Sequence, residues 1–502
     1  MSFNFSPDEF EKRLKKFGAA VLFKKIPADV ITPLAASIKV AKHFPNNHFL
    51  LESAEKGNNK GRFSVLGFMP DLSWKCEGGK SFLNKNFAKN PQDFIEEKGE
   101  VLENLRALIR ACRIEWADLD YMAQALPAVA SGIFGYINYD MARFMEKIPN
   151  RGQKDEIQIP DAIFIRPQII IVFDNLFDCA LICAPAFLDQ KDASFEKLSA
   201  KISLAEKILS EPLETLPIKA SPHFEFSSNC SKEKYCHMVE AAKKYITSGD
   251  IFQVLPSQRF TSNFDKNIPE FAFYRALRSI NPSPFLFFLK FDDFVLSGAS
   301  PEIMTSVKNK KVTIRPLAGT RKRGKNAKED KEIAAELLRD EKEIAEHLML
   351  IDLGRHDVGR VAAQGSVVLT EKMVIEHYSH VMHISSNVEG ILRDDLEALD
   401  ALISGFPAGT VSGAPKIRAM EIIEELEDTK RSFYAGCVGY FASNGDMENC
   451  ITLRSALIKN GKIYLQSGAG VVFDSKPELE HQECINKAYA LMQACENIKN
   501  FL

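Results

Sequence analysis

Ile163-Phe-Ile-Arg-Pro-Gln-Ile-Ile-Ile-Val-Phe-Asp-Asn-Leu-Phe-Asp-Cys-Ala-Leu-Ile-Cys-Ala-Pro-Ala-Phe187 is the most apolar stretch of the chain. Its reading decides whether the molecule spans a bilayer or folds around its own core. Arg166 and Pro167 interrupt it early, and the polar turn from Asp174 to Asp178 cuts it in the middle. A bilayer span needs about 20 predominantly apolar residues in a row. Two apolar runs on either side of a turn read instead as two buried strands. No membrane association is expected.

The bulk numbers agree. With 502 residues the chain exceeds one ordinary core, so two or three domains or one large composite fold are expected. It is 45% hydrophobic, 26% charged and 10% aromatic, as in ordinary folded proteins. A net charge of −3 leaves no basic footprint, so nucleic acid is not an expected partner. The start, Met1-Ser-Phe-Asn-Phe-Ser-Pro7, lacks the charged and apolar regions of a secretory signal. Ten cysteines without a Cys-x-x-Cys pair read as reduced thiols in a cytoplasmic protein.

Strand-like and helix-like runs alternate along the whole sequence, which gives an α/β or α+β class. Helices are expected at 100–112, 195–209 and 232–248, and strands at 251–259, 285–291, 303–307 and 311–316. One long helix is predicted over 328–351, with Ile333, Leu337, Ile344 and Leu348 as its apolar stripe. The proline-bearing segment 210–228 has little periodicity and marks a boundary between regions 1–225 and 226–502.

Glu343 and Glu346 lie off that stripe, and Glu480 and Glu483 repeat their spacing near the C-terminus. Carboxylates three apart project from one helix face. Two such pairs could enclose a hard cation such as Mg²⁺, or could be two solvated faces. The C-terminal helix is expected to open with a capping box at Ser475-Lys-Pro-Glu478 and to bury Ile485, Ala488, Tyr489 and Met492.

Three glycine-rich loops accompany them. In Arg315-Pro-Leu-Ala-Gly-Thr-Arg-Lys-Arg-Gly324, residues 319–326 nearly match a nucleotide-binding loop. Asn326 stands where that motif needs Ser or Thr, so nucleotide binding is disfavoured. In Phe406-Pro-Ala-Gly-Thr-Val-Ser-Gly-Ala-Pro-Lys416, Pro415 suits a first helical turn, with backbone N–H groups and Thr410 free to meet an anion. The third loop is Gln466-Ser-Gly-Ala-Gly-Val471. Any one of these is an ordinary turn more often than a site; together with four placed carboxylates they favour a small anionic ligand. His383 lies in a strand-like run, where it reads as a buried structural histidine or as an acid–base group. Arg454 interrupts the apolar run 451–457 and needs a partner, either an acid or a ligand carboxylate. Tyr434 either adds a hydroxyl or packs.

Taken together, Pro-Leu-Ala-Gly-Thr-Arg321, Asp340-Glu-Lys-Glu-Ile-Ala-Glu-His347, His380-Val-Met-His383, Pro407-Ala-Gly-Thr-Val-Ser-Gly-Ala-Pro-Lys416 and Gly468-Ala-Gly-Val-Val472 resemble the chorismate-utilising enzymes. The nearest branch is the large component of the anthranilate synthases. The strong motifs cover 231–495, and a weaker likeness begins near residue 50. The resemblance implies a large mixed β-sheet sandwich with surrounding helices, and a Mg²⁺-dependent conversion of chorismate and ammonia to anthranilate and pyruvate. Glu346 and Glu483 match metal positions, with Glu343 and Glu480 as supporting or water-mediated ligands. Gly319, Thr320, Tyr434, Arg454, Gly468, Ala469, Gly470 and Val472 match chorismate-holding positions. His383, Glu302 and Thr410 match further active-site positions, His383 as a proton-transfer residue and Glu302 near the departing hydroxyl.

Two positions separate the branches. Aminodeoxychorismate synthases resemble this chain but carry Lys at the position of Ala318. Water-adding relatives carry a Lys base at the position of Gln253. With both lysines missing, direct ammonia addition is expected. The N-terminal region 1–225 is implied to be regulatory, and 226–502 to be catalytic. Ser53, Pro284, Phe285 and Leu286 match an allosteric L-tryptophan site, with Glu52, Val438, Tyr440 and Cys450 near it. Phe285 and Leu286 replace the more usual Tyr and Met, and His356 replaces a more usual Asn. No glutaminase elbow is present, so a separate glutamine amidotransferase subunit and a hetero-oligomer are implied. The alternatives are an aminodeoxychorismate synthase and a catalytically silent amino-acid-binding regulatory protein.

Overall fold

The computed structural model describes residues 2–53, 61–114, 126–190, 193–213, 222–378 and 381–502. The expected boundary 210–228 therefore lies partly outside the described residues. The stretch 163–187 forms two strands, Ala162–Asp174 and Cys179–Phe187, antiparallel to one another and buried along their whole length. Among the described residues no helix is long and apolar enough to cross a membrane.

These strands are continuous in apolar character because both of their faces are covered. Ile163, Ile165, Ile170 and Val172 enter one core, while Ile169, Ile171 and Phe173 enter another. The strands Phe285–Lys290 and Phe294–Ser300 divide their side chains in the same way: Phe287, Leu289 and Leu296 on one side, Leu286, Phe288 and Val295 on the other. The first, inner core contains Trp74, Tyr136, Phe287, Met304 and Phe441 from strands, with Leu105 and Leu402 from helices. The second, outer core lies beneath helices that contribute Phe10, Ile202, Phe273, Leu277 and Leu491.

All named ladders belong to one 21-stranded sheet and one two-stranded sheet, and every one of them is antiparallel. The class is therefore a mixture of helices with a large antiparallel sheet. Its ladders cross residue 225: His48–Glu52 pairs with Phe285–Lys290, and Gly132–Ile137 pairs with Cys437–Ala442. On its other edge Gly132–Ile137 pairs with Ala162–Asp174, and Gly135 permits that approach, since a Cβ there would sit 1.8 Å from the Ile163 carbonyl oxygen. All ten cysteines are free thiols.

Four sequence expectations give way locally. The long helix of 328–351 is two helices, Ala327–Leu337 and Glu341–Gly359. Asp340 ends the continuity by accepting from the Lys342 and Glu343 N–H groups, a cap that restarts the helix. Consequently Leu348 is exposed rather than part of a stripe. The strand predicted over 251–259 is split into Gln253–Val254 and Ser257–Asn263. The first glycine-rich loop is a strand, Leu317–Lys322, whose register slips between Ala318 and Thr320 at Gly319. The C-terminal helix, Pro477–Glu496, is capped by Lys476 without a side-chain bond, and it buries Cys484, Ala488, Leu491 and Cys495 while Tyr489 is exposed.

Phe287 sits in the inner core at 1% exposure. Phe287→Ala is expected to lower stability by about 3–5 kcal/mol through lost burial and a residual cavity. Chemical denaturation followed by fluorescence measures this, and a loss below about 1 kcal/mol would contradict the two-core packing.

Candidate functional site

The helix Glu341–Gly359 and the strand Leu317–Lys322 are joined through one glycine. Gly319 has φ +64°, and a Cβ there would lie 3.1 Å from the Glu343 carboxylate. Its carbonyl oxygen accepts from His383 Nδ1 at 3.1 Å, and Thr320 Oγ1 lies 3.0 Å from the same nitrogen. A carbonyl can only accept, which assigns the proton to Nδ1 and leaves Nε2 as a base. His383 stands opposite Thr320 in the ladder with Val381–Ile391. Burial depresses its pKa, and Arg454 and Lys487 add to the effect, although the Gly319 bond opposes it. The residues 379–380 of its motif lie outside the described residues.

Glu302 is buried, and Thr410 Oγ1 donates to its Oε1 at 2.9 Å. Thr410 is thus engaged by Glu302 rather than free for an anion. Burial pushes the Glu302 carboxyl up to about 8, outweighing the Thr410 and Leu317 donors that favour its ionised form. At neutral pH it is a proton donor.

The four glutamates occupy different environments. Glu346 is held by Gln253 Nε2 at 2.9 Å, and its pKa is raised by burial and then by the nearby charges of Glu343 and Glu483. The effect of Glu483 on Glu346 means that the helices Glu341–Gly359 and Pro477–Glu496 present acidic residues near one another, despite the repulsion between them. Glu480 is likewise raised, by burial and by Glu483. Glu343 pairs with Arg321 at 3.0 Å, and Glu483 pairs with Lys487 at 2.9 Å. Oxygen-only donors suit a hard divalent cation, and two of these four already have a cationic partner. Among the described residues no three acidic, His or Cys side chains are arranged to close on one ion unaided.

Arg454 lies at a corner between the strands Met447–Ile451 and Ser455–Lys459, with φ +47°, rather than inside one apolar strand. Among the described residues no carboxylate pairs with it, and burial depresses its pKa. Tyr434 is buried nearby. The third loop follows the strand Lys462–Gly468. A Cβ at Gly470 would lie 2.9 Å from Gln253 Nε2, so this loop adjoins the Glu346 anchor. The Ala469 N–H is taken by Tyr235 Oη at 3.2 Å, and Val472 N–H by Ser475 Oγ at 3.0 Å. Pro415 is the cap residue of the helix Lys416–Leu426, just outside its first turn.

Lys487 is the group the sequence reading missed. Its Nζ also donates to the Gly468 carbonyl at 3.2 Å, and its charge is felt by Glu302, His383 and Glu480. The signal was its place one turn beyond Glu483.

A cavity of about 1250 Å³ is lined by Ser53, Pro284, Phe285, Leu286, Val438, Tyr440 and Cys450, and it also reaches Arg315, Glu376 and Tyr378. Leu286 is 1% exposed and its side chain belongs to the outer core, so it offers the cavity backbone. Glu52 is committed to Tyr274 Oη at 2.6 Å and Arg278 Nε at 3.0 Å. Glu448 also faces this cavity beside Tyr440, unforeseen in the sequence.

Residues 47–493 match the family described as chorismate binding enzyme. The chain is 46% identical over 499 residues to the anthranilate synthase component 1 of Cereibacter sphaeroides, covering 98% of this chain and 97% of the relative. It is 44% identical to that of Thermus thermophilus, covering 94% and 97%. Anthranilate synthase component I from Streptococcus pneumoniae superposes with TM-score 0.76 at 38% identity, over 87% of this chain and 95% of that one. The menaquinone-specific isochorismate synthase of Escherichia coli, at 18% identity and TM-score 0.69, shares the fold over 97% and 98%.

The raised Glu302 pKa has a stability consequence. Its folded value lies above the unfolded one, so its contribution is fully present below about pH 4.5 and is lost as pH rises to about 8. Relative to a Glu302→Gln variant, which cannot ionise, the parent should lose about 1.4 kcal/mol per pH unit across that window. Paired denaturation curves at several pH values test it; parallel pH dependences would refute a buried neutral carboxyl.

Proposed function

Because the chain belongs to the chorismate-binding enzymes, in their anthranilate synthase component 1 branch, we propose how its residues divide the work of that reaction. Chorismate is the substrate and ammonia the nucleophile. The observation that carries the assignment is Gly319, whose backbone binds His383 while its Cα abuts Glu343. Substrate-polarising acids and a proton-transfer group thus share one corner.

Chorismate carries two carboxylates. Arg454, a cation without a carboxylate partner among the described residues, would grip one of them, with the 468–472 backbone and Tyr434 beside it. Glu346 and Glu483, supported by Glu343 and Glu480, would hold Mg²⁺ against the other. When bound, that ion supplies Lewis-acid polarisation of the ring carboxylate. Lys487 would keep the acidic pair oriented and add positive charge near the substrate.

Glu302, neutral at pH 7, is suited to protonate the departing hydroxyl as ammonia nitrogen bonds to the ring. Water leaves, and the double bonds shift to give an aminated cyclohexadiene. His383 Nε2 is suited to take the ring proton as the enolpyruvyl C–O bond breaks, leaving anthranilate, and to return a proton to the enolpyruvate methylene carbon, giving pyruvate. Ala318 and Gln253 withhold the lysines of the related branches. A glutamine amidotransferase subunit is the proposed ammonia source, giving a hetero-oligomer in the cytoplasm. The N-terminal region would regulate: tryptophan in the 1250 Å³ cavity against Ser53, Pro284 and Phe285 would inhibit.

Purified chain, chorismate, Mg²⁺ and ammonium at mildly alkaline pH should yield anthranilate, followed by its fluorescence. Formation of 4-amino-4-deoxychorismate instead would replace this reading with the sister branch, and tryptophan binding without turnover would favour a silent regulatory protein. Glu346→Gln and Glu483→Gln should each abolish turnover by removing a hard ligand, and retained activity in either would refute the metal assignment. Ser53→Phe should relieve tryptophan inhibition with the uninhibited rate unchanged; unchanged inhibition places the inhibitor elsewhere.

A further inference from the structure

His383 is supported from a side that the proposed chemistry does not use. Tyr378 meets its ring edge-on, with centroids 5.4 Å apart and planes at 71°. The Tyr378 hydroxyl donates to Glu376 Oε2 at 2.8 Å. Glu376 is itself the residue opposite His383 in the ladder between Val368–His377 and Val381–Ile391. Arg315 grips Glu376 Oε1 at 2.5 Å, and its Nε reaches Ser385 Oγ at 3.1 Å, two residues along from the histidine. The result is a chain of contacts from Arg315 through Glu376 and Tyr378 to the imidazole.

We propose that Glu376 and Tyr378 are positioning residues for His383, the carboxylate setting the field at the ring and the phenol fixing its plane. This rests on the reading of His383 as the proton-transfer residue. An edge-on ring contact restricts rotation of the imidazole about its own axis, while the Nδ1 bond to Gly319 fixes only one corner. Directly opposed residues on one sheet face bring their side chains to about 5 Å, near enough for the carboxylate to act on the ring. The charges acting on His383 are Arg454 from the strand corner, Lys487 from the C-terminal helix and Glu376 from the neighbouring strand. Two cations disfavour a protonated imidazole, and the anion Glu376 favours it. Without Glu376 the ring would be a weaker base, and a base too weak cannot take a ring proton efficiently. Both positioning side chains line the large cavity rather than either core, so conservative changes there spare the packing.

The test follows the His383 ring by NMR titration in the full chain without substrate, then measures kcat and KM. In Glu376→Gln the His383 pKa should fall by about 0.5 unit or more, as expected for losing an anion at this distance. Glu376→Asp, which keeps the charge, should restore it. With chorismate and ammonium, Glu376→Gln should move the acid limb of kcat downward in pH by the same shift. Tyr378→Ala should lower kcat about tenfold with KM for chorismate unchanged, since misplacement costs rate rather than binding; Tyr378→Phe should keep most of the rate. An unmoved His383 titration in Glu376→Gln, or a Tyr378→Ala defect confined to KM, would overturn the proposal. Absence of anthranilate from the parent chain would overturn the functional reading instead, while the titration still judges the Glu376 assignment.

Discussion

Burial of the central strands on both faces is the constraint from which the rest of the structure follows. Ala162–Asp174, Phe285–Lys290 and Phe294–Ser300 send alternate side chains into two cores, so a charge on either face is costly unless it is paired. Arg166 shows the rule by exception: its guanidinium is 3% exposed and paired with Asp71 at 2.6 Å. Register is thereby locked, because a slip of one residue would exchange the two cores' side chains. That lock carries the strands Leu317–Lys322 and Val381–Ile391 to one place, and with them Gly319 and His383.

The site exploits the low dielectric that this packing creates. Burial depresses the pKa of His383 and raises that of Glu302, so a base and a neutral acid coexist near pH 7. The same burial leaves Glu346 and Arg454 without full compensation from the protein. A carboxylate held beside two others, and a cation with no carboxylate partner among the described residues, are costly to desolvate. Under the proposed function a cation and an anionic ligand arriving together would offset that cost, so the desolvation of these groups would itself favour the occupied state.

Much of this was legible from local pattern. The 163–187 stretch reads as paired strands because charge, proline and turn residues punctuate it. The acidic pairs read as one-faced because spacing fixes direction on a helix. The errors also have physical causes. A helical stripe predicted over 328–351 ignored Asp340, whose side chain competes for backbone donors and restarts the helix. A glycine-rich segment read as a loop is a bulged strand, because Gly319 absorbs the register slip within a ladder. Arg454 looked like an interruption inside one strand, yet it forms the turn between two.

The sequence by itself determined the reading of 163–187 as two strands, the residue types available to the candidate site, and the family motifs that carry them. Periodicity and residue chemistry are local properties, and they suffice for that much. Only the tertiary structure decided that Glu346 feels Glu483, that Lys487 joins them, that Thr410 serves Glu302, and that Glu376 and Tyr378 flank His383. Those pairs include residues more than a hundred positions apart. Their approach depends on sheet order and on the two-sided burial of the strands between them, which no local spacing encodes.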